Sequence, residues 1–294
     1  MNRKRSIIAS VLLMSIVLVA RSQNIDDLLA QRSESNPVEV VYKVVGEDTL
    51  KLTFHYPDNF KPRKKYPTII FFFGGGWNGG SITQFQGQAK YLAQRGMIAV
   101  LADYRVKKRQ GTTPFEAVQD AKSAMRFLRK NAKKLNINEK KIVAAGGSAG
   151  GHLAAATATI KGLNEPGEDT TVSSIPNALV LFNPVIDNGP GGYGHERIGD
   201  RYEEISPLHN IRKSMPPTIV FQGTADHLIP VTTAELFKEK IEAVGGRSEL
   251  FLYEDQKHGF FNKSKSEEHY NLTFKETERF LESLKYLKQT KSRK

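Results

Sequence analysis

The chain of 294 residues carries 43 Lys+Arg against 31 Asp+Glu, a formal charge of +12, and has no cysteine. Hydrophobic residues at 39% and charged residues at 25% are ordinary globular usage, which excludes disordered, collagenous and coiled-coil chains. The missing cysteines exclude disulfides, thiolate zinc sites, iron–sulfur clusters and a Cys nucleophile, and a chain this long can bury a core without such staples.

Residues 1–22 read as a signal peptide. Arg3, Lys4 and Arg5 precede an apolar run from Ile7 to Ala20, and Ala20-Arg21-Ser22 supplies small residues two apart for cleavage. About 14 apolar residues fall short of the roughly 20 that span a bilayer, so no lasting membrane anchor is expected. The remainder, 23–294, reads as one exported domain, periplasmic or secreted. Cleavage takes +12 to +8, and the basic tail over 283–294 accounts for five more charges, leaving about +3 for the body. The basic runs Lys61–Lys65 and Lys107–Arg109 lack interleaved aromatics that could stack on bases, so no nucleic-acid partner is expected.

After a polar, flexible stretch over 23–36, Val38–Val45 and Thr49–Tyr56 are β-rich runs separated by Gly46-Glu47-Asp48, a hairpin signal. Tyr66–Phe73 is a continuous apolar run, as in a strand covered on both faces. The pattern then alternates. Helices are expected over Gln84–Arg95, Phe115–Leu135, Ala149–Ile160, Ala234–Val244 and His269–Leu287. Strands are expected over Met97–Leu101, Lys141–Ala145, Ala178–Phe182, Thr218–Gln222 and Glu249–Tyr253. Such alternation specifies a mostly parallel sheet with helices on both faces, and sites in such sheets lie at the carboxyl ends of strands. Residues 183–216 form a long Gly- and Pro-rich insertion expected on the substrate side.

Three loops at strand ends carry the chemistry. Gly146-Gly147-Ser148-Ala149-Gly150 is a G-x-S-x-G between a strand and a helix, where a sharp turn exposes the serine hydroxyl and glycines avoid clashes. Phe73-Gly74-Gly75-Gly76-Trp77 ends the central strand; there the N–H groups of Gly75 and Gly76, with that of Ala149, can face a developing oxyanion. Trp77 is a candidate wall of the substrate site, with a core position the alternative. Ser148 needs a base, and the base needs a carboxylate. Asp226, in Gly223-Thr224-Ala225-Asp226, and His258, in Lys257-His258-Gly259-Phe260, both follow strands in the order Ser, Asp, His. Among the other histidines, His152 is expected to pack, His227 adjoins Asp226 too closely to turn back on it, and His195 and His209 could line a cleft.

Together these loops resemble the α/β-hydrolase-fold serine esterases, in the branch of hormone-sensitive-lipase-like and bacterial acetylxylan and feruloyl esterases. The resemblance runs over roughly 38–286. It implies a central sheet of about eight strands, a Ser148–His258–Asp226 triad, an oxyanion hole of Gly75, Gly76 and Ala149, and hydrolysis of small or carbohydrate esters. The implied mechanism calls for neither metal nor organic cofactor. One position departs from the family: Phe73 stands where a histidine usually braces the glycine loop, so the rigidity of that loop is in question.

Rival readings exist. The same triad cleaves amides, so a peptidase or amidase is the main alternative. Gly74-x-Gly76-x-x-Gly79, with Asp103 after the next strand and Tyr104 and Lys108 in Tyr-x-x-x-Lys spacing, mimics an NADP-dependent oxidoreductase. That reading leaves the serine elbow, Asp226 and His258 idle. A noncatalytic binder retaining the fold has only Phe73 in its favour. If His258 is a base of ordinary acidity, activity falls below about pH 6.5.

Overall fold

The computed structural model describes residues 37–289. The signal peptide expected over 1–22, the polar stretch 23–36 and the last five residues of the basic tail lie outside the described residues. Among the described residues no helix is long and apolar enough to cross a membrane.

Strand β1 (Val38–Val45) turns at Gly46, whose φ of +57° suits glycine, and pairs antiparallel with β2 (Asp48–His55). The central strand β3 (Tyr66–Phe72) lies between β4 (Ile98–Ala102) and β5 (Ile137–Gly147). Strands β6 (Ala178–Phe182), β7 (Thr218–Gly223) and β8 (Ser248–Tyr253) complete one sheet of order β1-β2-β4-β3-β5-β6-β7-β8. The pair β2·β4 is antiparallel, and from β4 to β8 all pairings are parallel. The alternating strand–helix pattern is thus realised as an α/β fold with an antiparallel hairpin at one edge.

Alternation along each strand builds two cores. Ile70, Phe72, Val100, Ala144 and Leu181 face helices α2 (Pro114–Lys130), α3 (Ala149–Thr159) and α4 (Val231–Ala243). Ile69, Phe71, Leu101, Val143 and Phe182 face α1 (Gln86–Gln94) and α5 (Glu267–Ser283). With both sheet faces covered, the strands must be apolar throughout, as the sequence pattern requires. Helix α3 is buried along its whole length, and its run of Ala and Gly lets it lie close to the strands.

Helix α2 differs from the sequence expectation at its end. Its start is fixed by Pro114 and by Thr113 and Glu116 in a capping box, with Thr113 N–H donating to Glu116 Oε2 at 2.8 Å. It stops at Lys130 rather than Leu135. Asn136 takes φ +59°, its carbonyl accepts from Tyr66 N–H at 2.7 Å, and its amide bonds to Pro62 O, which turns the chain early into β5.

One buried charge cluster straps the hairpin to this frame. Asp120 on α2, wholly buried, accepts from Lys43 Nζ at 2.6 Å, Arg105 N at 2.9 Å and Arg105 Nη2 at 2.7 Å. Glu165, after α3, meets Lys43 and Arg105 at 2.6 and 3.0 Å. Two cations and two carboxylates are mutually satisfied, the condition under which buried charge is tolerated.

Candidate active site

The loops after β3, β5, β6, β7 and β8 gather at the carboxyl edge of the sheet. Ser148 follows the last residue of β5 with φ +54° and ψ −122°, a region that a non-glycine residue occupies only under constraint. The constraint is visible. Ser148 N–H donates to Phe182 O at 2.9 Å, and its carbonyl accepts from His152 and Val185. A Cβ at Gly150 would stand 2.0 Å from Phe72 O and 2.4 Å from Phe73 O, so only glycine lets α3 start this close to β3. The turn therefore lifts the half-buried serine hydroxyl into the cleft.

His258 stands against it. Its Nε2 lies 2.8 Å from Ser148 Oγ, and its Nδ1 lies 2.7 Å from Asp226 Oδ2. Because an ionised carboxylate only accepts, Nδ1 carries the proton and Nε2 is left as the acceptor for the serine hydroxyl. Asp226 is itself held: Oδ1 accepts from the N–H groups of Leu228 and Ile229 at 2.9 and 3.0 Å, and Oδ2 also accepts from Gln222 Nε2 at 3.1 Å. Burial alone would raise the Asp226 pKa; the hydrogen bond and charge of His258 and the two backbone donors outweigh it and hold the carboxyl below its usual value. The three residues singled out in the sequence thus form one continuous hydrogen-bonded relay.

The glycine loop lies across the cleft. Gly75 has φ +134°, and a Cβ there would meet Gly79 O at 2.1 Å, because that carbonyl folds back beneath the loop. Gly75 O is occupied by Asn78 and Gly79 N–H, whereas the N–H groups of Gly75 and Gly76 have no acceptor among the described residues. Ala149 N–H opens α3 and belongs to the unpaired first turn of a helix, where partial positive charge collects. This arrangement suits a developing negative charge.

The departure at Phe73 is compensated in a different way from a histidine brace. The Phe73 ring stacks on Tyr104 with centroids 4.1 Å apart, and Tyr104 Oη donates to Phe73 O at 2.7 Å. Gly74 N–H donates to Gln84 Oε1 at 2.6 Å, Gln84 Nε2 donates to Asn262 Oδ1 at 3.0 Å, and Asn262 Nδ2 donates to Gly259 O at 2.7 Å. The glycine loop is therefore tied to the histidine loop through two side-chain amides. Tyr104, which the oxidoreductase reading needs exposed, is wholly buried on this carbonyl.

The cleft holds about 270 Å³ and is walled by Gln84, Asn183, Tyr193, Leu228, Phe261 and Asn262 as well as Ser148 and His258. None of the six was named from the sequence, although Asn183 and Tyr193 fall in the insertion expected on the substrate side, Leu228 follows Asp226 by two residues, and Phe261 and Asn262 follow His258 within four. Trp77 does not line this cleft and takes the core position expected as the alternative to a substrate wall. Its ring is 2% exposed, with Tyr193 and the Arg197 guanidinium against it and His152 meeting it edge-on at 5.0 Å. His152 is buried with Nε2 3.0 Å from Ile205 O, a packing role as expected. His195 and His209 do not line the Ser148 cleft; their Nδ1 atoms meet Asn188 O and Ser206 Oγ within the insertion.

The chain is similar in sequence and fold to known esterases. The BD-FAE family model matches residues 52–189, and the prolyl oligopeptidase family model matches 186–284. Esterase LipC of Mycobacterium tuberculosis is 30% identical over 73% of this chain and 58% of that protein. An acetylxylan esterase of Xylanibacter ruminicola is 29% identical over 64% of this chain and 39% of its own. The chain spans about half the length of the curated relatives it matches. The apo structure of Thermogutta terrifontis esterase 2 superposes with a TM-score of 0.84 at 42% identity, covering 88% of this chain and 98% of that one. The same esterase is known with propionate bound, with butyrate bound and phosphorylated by paraoxon. The chain belongs to the esterases of the α/β-hydrolase fold, hydrolases that act on ester bonds.

Proposed function

We propose that this protein is a serine carboxylesterase that removes short acyl groups, acetyl groups on plant polysaccharides being the natural targets. The observation that carries the reading is the relay from Ser148 Oγ through His258 to Asp226, at 2.8 and 2.7 Å, opposite three unpaired N–H groups. His258 takes the serine proton as Ser148 attacks the ester carbonyl, and Asp226 orients the imidazole and stabilises its charged form. The oxyanion rests on the N–H groups of Gly75, Gly76 and Ala149, one such donor contributing on the order of 10²–10³ in rate. His258 then protonates the leaving alcohol, and water releases the acid from the acyl-enzyme. The small cleft and the propionate and butyrate bound by the Thermogutta esterase support short acyl chains; the Xylanibacter relative supports acetylated xylan.

The experiment is a panel of 4-nitrophenyl esters of increasing chain length, acetylated xylan, a feruloyl ester and a peptide amide, with Ser148→Ala as control. Treatment with paraoxon followed by peptide mass mapping should place one phosphoryl adduct on Ser148. Activity surviving Ser148→Ala sinks the nucleophile assignment. Feruloyl turnover above acetyl turnover replaces the acyl group named here. Preferential cleavage of the amide would favour a peptidase, the reading supported by the prolyl oligopeptidase match over 186–284.

We further propose that residues 1–22 direct export and are cleaved, that 23–294 act as one hydrolase domain, and that 183–216 form its substrate-side wall. Amino-terminal sequencing of the protein recovered from the periplasm or medium tests the first point.

A further inference from the structure

We propose that the end of the molecule opposite the catalytic cleft docks on anionic lipid, so that the enzyme rests reversibly on a membrane with Ser148 facing away from it. The inference does not rest on the esterase reading. Strands β3 and β5 begin side by side, Tyr66 opposite Ile137, and their carboxyl ends carry the glycine loop and Ser148. The seven residues of β3 separate the two ends by about 23 Å. At the starting end, Asn136 Nδ2 donates to Lys64 O at 3.2 Å and Lys141 Nζ donates to Lys285 O at 2.7 Å. These bonds gather 61–65, 133–141 and 285–289 into one face.

The three stretches hold ten cations and one acid, Glu139. All ten cations are exposed except the half-buried Lys141. Among the described residues no carboxylate pairs with Lys61, Arg63, Lys65, Lys133, Lys140 or Lys288. Arg95, which meets Lys288 O at 3.2 Å, takes up Glu278 and Glu282 at 2.7 and 2.9 Å, so those two acids do not neutralise the face. The stretches within 23–282 carry +7, against about +3 for that whole segment. The rest of the domain is therefore net acidic, and the positive field is polarised toward this end.

Placement and chemistry select the partner. A polymeric substrate held on this face would be at the wrong end of the sheet to present its esters to Ser148. A nucleic acid would find no open ring to stack on, since Tyr286, the aromatic residue of these stretches, lies half-buried with Lys141 Nζ 5.4 Å from its centroid. Nine of the ten cations are lysines, compact charges on flexible stems that can follow a mobile array of headgroups instead of clasping one fixed anion. The chain ends agree with lipid. Strand β1 is antiparallel to β2, and β2 to β4, so β1 begins at the same end as β3 and residues 1–36 join the domain there. Residues 1–22 carry Arg3, Lys4, Arg5 and the apolar run suited to a bilayer, and Lys291, Arg293 and Lys294 follow Gln289.

The test is co-sedimentation of the protein recovered after export with vesicles of phosphatidylcholine, alone or with about 30% phosphatidylglycerol. Binding should require phosphatidylglycerol and should weaken at least tenfold when salt rises from about 50 to about 500 mM. Lys65→Glu with Lys140→Glu should lower the partition coefficient at least 25-fold, each cation near an anionic surface being worth about fivefold. The same charge change at the cleft end, Lys107→Glu with Lys108→Glu, should lower it less than about threefold. The Lys65/Lys140 pair should leave 4-nitrophenyl acetate turnover within about twofold, which shows that the variant folds. Binding without phosphatidylglycerol, binding that survives high salt, or equal losses for the two pairs overturns the proposal. Binding to polygalacturonate or duplex DNA but not to the anionic vesicles overturns it as well, in favour of a soluble polyanion. Failure of the esterase reading leaves the vesicle result standing, because the Ser148→Ala protein should bind as the parent does.

Discussion

Gln84 Nε2 donates to Asn262 Oδ1 at 3.0 Å across 178 residues of sequence, and through this bond the oxyanion loop and the histidine loop are held at a fixed separation. Each amide is used at both ends, since Gln84 Oε1 accepts from Gly74 N–H and Asn262 Nδ2 donates to Gly259 O. Gln84→Leu should therefore lower kcat on 4-nitrophenyl acetate by about 10–100-fold, as small misplacements of reacting groups do, with KM changed less than threefold. Gln84→Glu, which keeps the acceptor for Gly74 and loses the donor to Asn262, should fall between. If the pair acts as one brace, Gln84→Leu combined with Asn262→Leu costs little more than either alone; additive losses would show two independent roles.

Asp226→Asn tests the carboxylate end of the relay. The amide can present its N–H to His258 Nδ1, which favours the wrong imidazole tautomer and leaves the imidazolium without its partner charge. The expected loss in kcat is on the order of 10³–10⁴ with the fold intact, read by steady-state kinetics beside a circular dichroism spectrum. A loss below tenfold would remove Asp226 from the mechanism.

Stability should depend on acid through His152. Burial pushes its imidazole down to about 4, while in the unfolded chain it titrates near 6.5. The unfolded state thus binds the extra proton first, and the folded state loses stability as pH falls from about 6.5 to about 4, by about 3 kcal/mol in total. Asp226 acts in a lower window: its depressed carboxyl contributes stability above the ordinary carboxylate range and loses it only as pH falls through the folded value. Urea midpoints at pH 7.5, 5.5 and 4.5 should fall in that order, and His152→Leu should flatten the slope even if it lowers the whole curve.

Gly150→Ala should be among the most damaging single-methyl additions in the chain. Its Cβ would press on two backbone carbonyls of the central strand, Phe72 O and Phe73 O, which no rotamer can relieve. A cost of about 3 kcal/mol or more is expected, with activity lost because Ser148 moves with the turn. An active, equally stable Gly150→Ala protein would show that the elbow is looser than its contacts require.

Asp120→Asn should also destabilise the protein, here by about 3–5 kcal/mol, because Lys43 and Arg105 would then share only Glu165. Replacing Lys43 by Met at the same time should recover part of that loss, which a thermal melt of the single and double variants can measure.

Much of the site was legible because its residues sit at strand ends with local signatures. Glycines at 146, 147 and 150 mark the turn around Ser148, and strands ending near Gln222 and Tyr253 locate Asp226 and His258. The mostly parallel sheet with helices on both faces follows from the alternation of apolar strands and amphipathic helices, whereas the strand order does not. What stayed hidden was set by tertiary contact. Gln84 reads as an ordinary first-turn residue of a helix, and only the folded chain shows it bonded to Gly74 and Asn262. The early end of α2 depends on Asn136 reaching Pro62, a contact 74 residues away. Trp77 follows the glycines, which left a substrate wall and a core position both open, and only its contacts with Tyr193 and Arg197 of the insertion place it in the core. Phe73 hinted at a weakened loop, and the stack on Tyr104 could not be inferred from either residue alone.

The cluster around Asp120 also joins four distant stretches of the chain. Its charges stand at positions 43, 105, 120 and 165, so a chain emerging from its amino end presents two cations to one carboxylate until Glu165 arrives. Long loops must close before that debt of charge is settled, and such closures are slow to be rewarded. In the finished molecule the strap therefore balances its charge only through a residue that follows the serine turn and its helix, which couples the edge hairpin to the segment that carries Ser148.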